Sequence, residues 1–537
     1  MGIAYTLAER EQMLDNLEGQ IESARARRAV RLENDEPMAT RFDPRLPVFA
    51  MPAPAGPLRF SKPPLTDLPD DVADIAFAPI AQLAGWIKAG QLTSRRLTEI
   101  YLARIEVLGP RLECFATVTS ERALAEADAA DALLSAGVYL GPLHGIPYGV
   151  KDLFDTKGIV TGWGAEPYQD RVPETDATII GKLRAAGAVM LGKTALGALA
   201  YNDIWYGGMV RNPWNLNEGS SGSSAGSASA TAAGLCGFSV GTETLGSITS
   251  PSQRCGTTGL RPTFGRVSRA GAMALCWTLD KVGPICRSVE DTAMVLSVLN
   301  GGDIGDLSSI EAPFHFDAEA GITGLRLGYL PEAFEDAGAT DVDREALEAA
   351  RRLGVELVEV KLPDLPYGAL INILYAEAAA ACEELTLSDL DDTLTWQDDG
   401  AWPNTFRKAR FLSAVDHVQL DRLRYRVMKA LHEVFTGQVD LMIGPFMTGP
   451  MLVATNFTGH PCLHLRAGFE DLRTRGKASL GAGKLVTGEI EEEGRTFTVP
   501  QGISLWGGLF NEGPMLNFGM ALERLLGVAE RRPEFPV

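Results

Sequence analysis

The sequence predicts an α/β fold: an α/β/α sandwich whose large mixed, mostly parallel central sheet is covered by helices. Two observations predict it. From about residue 75 onward, short apolar runs of strand length alternate with segments of helical apolar spacing. The 537 residues are 45% hydrophobic and 22% charged, a globular balance with enough chain to bury a large core.

The elements follow in chain order. Thr6-Leu7-Ala8-Glu9 forms a capping box, and Met13, Leu17 and Ile21 recur at i, i+4, i+8, so residues 7–32 read as an amphipathic helix. Residues 37–69 are crowded with proline, including Pro44, Pro47, Pro52, Pro54, Pro57, Pro63 and Pro64. Proline lacks the N–H that helix and central strand require, so this tract reads as extended chain wrapped over the surface. The division expected is therefore 1–74, a helix and wrapping segment, and 75–537, a single domain. Within that domain, Ala78–Ala89, Arg95–Leu108 and Glu121–Ala136 have helical spacing, and "GIPYGVKD" (145–152) reads as a buried strand. "ATIIGKLRAAGAVMLGK" (177–193) is helix, glycine, strand, and "CGFSVG" (236–241) is another strand. "LRLGYL" (325–330), a helix over Arg344–Leu353 and "VELVEV" (355–360) repeat the βαβ rhythm. "VDLMIGP" (439–445) and "GISLWG" (502–507) add strands before a helix near Pro514–Leu526.

Charge narrows the partners. Forty-nine Lys+Arg against 69 Asp+Glu give −20, a field that repels phosphate backbones and anionic lipid and argues against nucleic-acid or membrane binding. Seven cysteines without a C-x-x-C pair read as reduced, buried thiols of a cytoplasmic protein, with export left open should a signal have preceded Met1-Gly2. His460 and His464 form H-x₃-H, but Pro461 lies between them and "CLHLRAG" reads as strand, so no metal site is expected. Cys255 and Cys286 read as core. The Asn456-Phe457-Thr458 sequon reads as chance.

The stretch "GSSGSSAGSASA" (219–230) admits three readings. Glycine and serine runs commonly make linkers. Here the run feeds directly into helix-forming "SASATAAG" and the strand "CGFSVG", which a linker would not. Gly222–Gly226 also spells G-x-S-x-G, a nucleophile elbow that would use Ser224 with a histidine; that motif needs a strand just before it, and "RNPWNLNEGSS" is loop chemistry. The third reading joins three blocks. Ser247 lies in a glycine-flanked turn after a buried strand, and Lys151 ends another, so two serines and a lysine can serve as nucleophile, relay and base without histidine.

These blocks carry a resemblance. "GIPYGVKD", "SGSSAGSASATAAG" and "VGTETLGSITSPSQRCGTTGLRPTFGRVSR" are similar to the amidase signature family, as are "NPWN" (212–215), "KVGPICRSVED" (281–291), "TGHP" (458–461) and "GGLFNEG" (507–513). The resemblance covers most of the chain from about residue 75. It implies the amidase signature fold, Ser247 as acylated nucleophile, Ser223 as bridging serine on a cis Gly222–Ser223 peptide, and Lys151 as base. It further implies an oxyanion hole from the backbone N–H groups of Thr244, Leu245, Gly246 and Ser247, and an acyl-pocket wall at Ala200 and Tyr201, with Gly222 beside it. Ser224 and Glu243 are expected to support the glycine loops. No cofactor is implied.

The chemistry explains the residue types. A serine hydroxyl needs a base as it attacks, and lysine serves only when burial strips its proton well below its ordinary pKa. Asp152, next in sequence, would oppose this but points to the opposite face of a strand. Ser223 can accept one proton while donating another. Two departures bear on substrate. Leu245 stands where many relatives have glycine, and Thr249 where they carry arginine, with Arg254 a candidate to compensate. The reading that results is hydrolysis of a small-molecule carboxylic amide, with ester or carbamate (urethane) side activity, and a homodimer left open. The alternative is the amidase subunit of a tRNA-dependent amidotransferase, releasing ammonia from glutamine.

Overall fold

A computed structural model describes residues 4–53, 56, 58–481, 484–489 and 494–535; Met1, Gly2, Pro54 and Pro57 lie outside these. Eleven strands form one sheet: β1 (Phe115–Val118), β2 (Pro147–Lys151), β3 (Val189–Thr194), β4 (Phe238–Glu243), β5 (Thr258–Arg261), β6 (Lys281–Cys286), β7 (Arg326–Tyr329), β8 (Glu356–Glu359), β9 (Leu441–Pro445), β10 (Cys462–Leu472) and β11 (Phe497–Gly507). Their spatial order is β1-β3-β2-β4-β6-β5-β10-β11-β9-β7-β8.

The sheet is large, mixed and helix-covered, as expected. Its parallel pairings fall in two blocks, β3-β2-β4 and β9-β7-β8. Between them, from β4 through β6, β5, β10 and β11 to β9, each neighbouring pair is antiparallel, as is β1 against β3. Helix Thr178–Ala185 leads into β3 of the first block and helix Asp341–Arg352 links β7 to β8 in the second. Parallel neighbours need such crossovers, whereas antiparallel ones can follow on shorter connections. β2, β4 and β6 are buried at every residue, which a strand achieves only when both faces are covered.

The amino-terminal capping box forms: Glu9 N–H donates to Thr6 Oγ1 at 3.3 Å, and Glu9 Oε2 accepts from Thr6 N–H at 2.7 Å. The helix runs Leu7–Arg28. Its apolar stripe is not buried: Met13, Leu17 and Ile21 are 45%, 40% and 49% exposed. Its large apolar side chains, Leu7, Met13, Leu14, Leu17 and Ile21, are spread thinly among many charges over 22 residues and are all exposed, too narrow a face to dock. Beyond it, the described residues of the proline tract carry no regular element; Arg59 forms an isolated bridge with Asp317, and Arg59 N–H donates to Phe316 O at 2.8 Å.

Candidate active site

Lys151 sits at the carboxyl end of β2, and the Thr244–Ser247 turn follows the carboxyl end of the parallel neighbour β4. Carboxyl ends of parallel strands are where α/β sheets commonly place their chemistry. The tract Gly219–Ala230 is fully built, ending in helix Ala225–Ala232, every residue of which is buried. It is not a linker. Glycine allows close approach here: a Cβ on Gly222 of the tract would lie 1.8 Å from Asn202 O, and one on Gly241 of the facing strand β4 would lie 2.5 Å from Ser224 Oγ. The Gly222–Ser223 peptide is cis.

Lys151 Nζ donates to Ser223 Oγ at 2.8 Å, Thr242 Oγ1 at 2.9 Å and Ser224 Oγ at 3.1 Å. Burial drives its pKa down to about 7, against the opposing charges of Asp280 and Glu243. Asp152 is not among those charges. It faces away, accepting from Gly162 N–H at 2.9 Å and lying 3.7 Å from Lys193 Nζ, as strand alternation requires. Ser224 N–H donates to Ser247 O at 3.1 Å, which ties the glycine-rich tract to the turn bearing Ser247.

The elbow reading fails on geometry. Ser224 is fully buried; its Oγ donates to Thr242 O, accepts from Thr242 N–H and faces Lys151. The hydrogen bonds described for Ser224 include no histidine, and Ser224 has no exposed face from which to attack. His460 and His464 are held elsewhere, by Thr458 and Ser504, and burial pushes both to about 3. Asn456 of the sequon is buried and donates to Glu243.

Glu243 organises the turn. Its Oε2 accepts from Ile248 N–H and Thr249 N–H, each at 2.9 Å, and its Oε1 accepts from Arg261 at 2.7 Å and Asn456 at 3.0 Å. Burial raises its pKa, but the Arg261 charge and these bonds prevail and hold it at about 2. Gly246 takes φ +88°, the left-handed conformation that lets the turn reverse tightly.

Ser247, Thr244, Leu245, Gly246 and Gly222 share a cavity of ≈60 Å³ with Ala200 and Tyr201. The wall is shaped by strained backbone: Leu199, Ala200 and Asn202 have φ of 50°, 60° and 60°. Trp402 Nε1 donates to Leu199 O at 2.9 Å, and its ring lies 4.8 Å from that of Tyr201. Asn202, Ser221, Ser250, Leu275 and Thr405 add to the lining, and the rest of the wall comes from Leu374, Tyr375, Trp402, Phe446 and Leu452. None of these five was named from sequence; each sits in or beside an element whose apolar spacing looks like any core packing. No charged side chain lines this cavity. Arg254, a candidate to supply one, points away, 3.6 Å from Glu218 and within reach of Gly476 O.

A sequence model of the family described as Amidase matches residues 96–461, more than half of the chain. The chain belongs to the amidase family. Its sequence is 34% identical over 480 residues to the A subunit of glutamyl-tRNA(Gln) amidotransferase from Roseiflexus sp. (strain RS-1), covering 83% of this chain and 96% of that one. It is also 34% identical over 485 residues to the corresponding protein of Halorhodospira halophila, covering 85% and 98%. In three dimensions it is similar to native peptide amidase from Stenotrophomonas maltophilia, with TM-score 0.70 and 27% identity over 86% of this chain and 99% of that one. It is likewise similar to a chain of a protein complex described as revealing the origins of an s-triazine catabolic enzyme, with TM-score 0.72 and 28% identity over 83% and 98%. This amidase therefore has the fold and family of amide C–N hydrolases.

Proposed function

We propose that this chain hydrolyses the carboxylic amide of a small molecule with an apolar acyl group, through an acyl-enzyme on Ser247. The observation that carries the reading is Lys151: fully buried, brought to about 7, and 2.8 Å from Ser223 Oγ beside the Ser247 turn. Neutral Lys151 takes the proton of Ser247 through Ser223 as Ser247 attacks the carbonyl. The N–H groups of Thr244, Leu245, Gly246 and Ser247 receive the oxyanion. The relay then returns the proton to the departing nitrogen, and water releases the acyl group by the same route. Esters and carbamates pass through the same tetrahedral intermediate, so the proposal includes them.

The names of the relatives favour a second reading, release of ammonia from glutamine within an amidotransferase assembly. Against it stands the cavity beside Ser247, which offers no charged side chain to the ammonium and carboxylate of an amino acid. The two separate in one assay. A panel of apolar primary amides is compared with glutamine. The free nucleophile is labelled with a fluorophosphonate, which phosphonylates serine with loss of fluoride, and the labelled protein is weighed intact. Labelling that Ser247→Ala abolishes and Ser224→Ala leaves in place is expected, with apolar amides turned over faster than glutamine. Labelling lost only in Ser224→Ala would return the nucleophile to the elbow serine.

A further inference from the structure

We infer that residues 34–42 form the outer wall of a second pocket, one that receives the departing amine and is sized for a single six-membered ring. The inference rests on the amide-hydrolase reading and adds the side of the substrate which that reading leaves open. A cavity of ≈170 Å³ lies between Asp35, Met38 and Phe42 on one side and residues of the 269–282 stretch on the other. It meets the Ser247 cavity at Ala200, Thr244 and Leu275, which line both.

The relay orients the two cavities. Thr242 lines the larger one, and its Oγ1 accepts from Lys151 at 2.9 Å. Ser247 and the turn that would hold the oxyanion line the smaller one. An amide seated on Ser247 thus leaves its acyl group in the smaller cavity and directs its nitrogen toward the lysine side. There Ser247 Oγ first adds to the carbonyl carbon as its proton passes through Ser223 to Lys151. When the tetrahedral intermediate collapses the C–N bond breaks, and the relay in reverse delivers that proton to the nitrogen.

Size and chemistry select the amine. Met38, Phe42, Met273, Leu275, Trp277 and Val282 make the wall largely apolar. An apolar cavity of about 150 Å³ accommodates a benzene ring. Of the charged groups on the wall, Asp280 accepts from Thr244 Oγ1 and from the N–H groups of Leu275 and Cys276, Arg269 pairs with Asp306, and Arg41 donates to Leu307 O, while Asp35 is exposed to solvent. An aryl amine, which departs uncharged, suits such a space.

The wall is fixed to the loop it faces. Asn34 Nδ2 donates to Ala274 O at 2.9 Å while Ala274 N–H donates to Asn34 Oδ1 at 2.8 Å. The Phe42 ring centroid lies 3.4 Å from the Arg424 guanidinium, which donates to Thr278 O at 2.7 Å. This segment precedes the stretch that the family model matches, residues 96–461, whereas the loop it faces lies within it.

The full-length protein is tested with a primary amide and an anilide of one acyl group, and aniline binding to Ser247→Ala protein is measured by calorimetry. Met38→Trp fills the cavity. It is expected to lower kcat/KM for the anilide by about tenfold or more while the primary amide stays within about twofold, and to weaken aniline binding in parallel. Met38→Ala, which leaves room, is expected to favour a two-ring naphthylamide over the anilide. Equal losses for amide and anilide in Met38→Trp, or aniline binding indifferent to that change, would overturn the pocket. Failure of the wild type to turn over either substrate would instead sink the amide-hydrolase reading, and the calorimetry would still decide the pocket.

Discussion

Lys151 carries two opposite demands, and they separate by experiment. As base it must be neutral, so acylation is expected to rise with pH through about 7, the value to which burial brings it. Single-turnover acylation across pH 5–9 measures this, and a flat profile with chemistry rate-limiting would end its role. Lys151→Met should cost about 10²–10⁴ in amide turnover. The same variant should not lose stability. A lysine whose folded pKa is depressed destabilises the fold while it is charged, most below pH 7, so methionine is expected to raise the denaturation midpoint in acid. Glu243 behaves in the opposite sense: Glu243→Ala strands the buried Arg261 charge, and a loss of about 3–5 kcal/mol in urea unfolding is expected. At this scale the sequence exposes Lys151, Ser223, Ser247 and Glu243 because they sit in short runs of small residues with little other use. It hides Asp280 and Thr242. Thr242 reaches Lys151 because β4 pairs with β2, and Asp280 acts on it because β6, which Asp280 precedes, pairs with β4, with Lys281 opposite Glu243; nothing local marks either register.

The strands and helices bounded by glycine or by strong apolar contrast are legible, and β6 shows why others are not. Pro284 in its middle argues against a central strand. The sheet tolerates it because the pairing to β5 covers only Ile285 and Cys286, leaving Pro284 past the end of that ladder. The amino-terminal helix errs the other way: its cap is legible, yet its stripe finds no partner among the described residues. Its Arg27–Glu383 ion pair is half exposed at the arginine, the kind worth about 0–1 kcal/mol. Removal of residues 1–28 is therefore expected to shift stability by less than about 1 kcal/mol and to leave kcat/KM for a primary amide unchanged, as read by urea titration and initial rates. A large loss of either would give the helix a role that its contacts do not suggest.

Across the whole molecule, acidity has a cost in the core as well as on the surface. Asp291 opens helix Val289–Leu299 and Glu523 lies in helix Glu512–Leu526; burial raises them to about 7 and about 8. Raised carboxyl values mean that the folded chain holds protons the unfolded chain has released between about pH 4 and pH 8. The stability they lend is complete below that window and is lost as pH climbs through it. Glu523→Gln keeps an acceptor for Val289 N–H and should flatten the decline by up to about 1.4 kcal/mol per pH unit, seen as a smaller spread of urea midpoints between pH 5 and pH 8.

The pairing of β5 with β10 joins Gly259 to His464, and Glu243 is completed by Asn456. A nascent chain halted near residue 430 would already own its lysine and both serines, yet would lack the clasp that aims the turn carrying Ser247. On the proposed mechanism, hydrolytic power therefore waits until residues beyond 440 return to lock a centre laid down long before them.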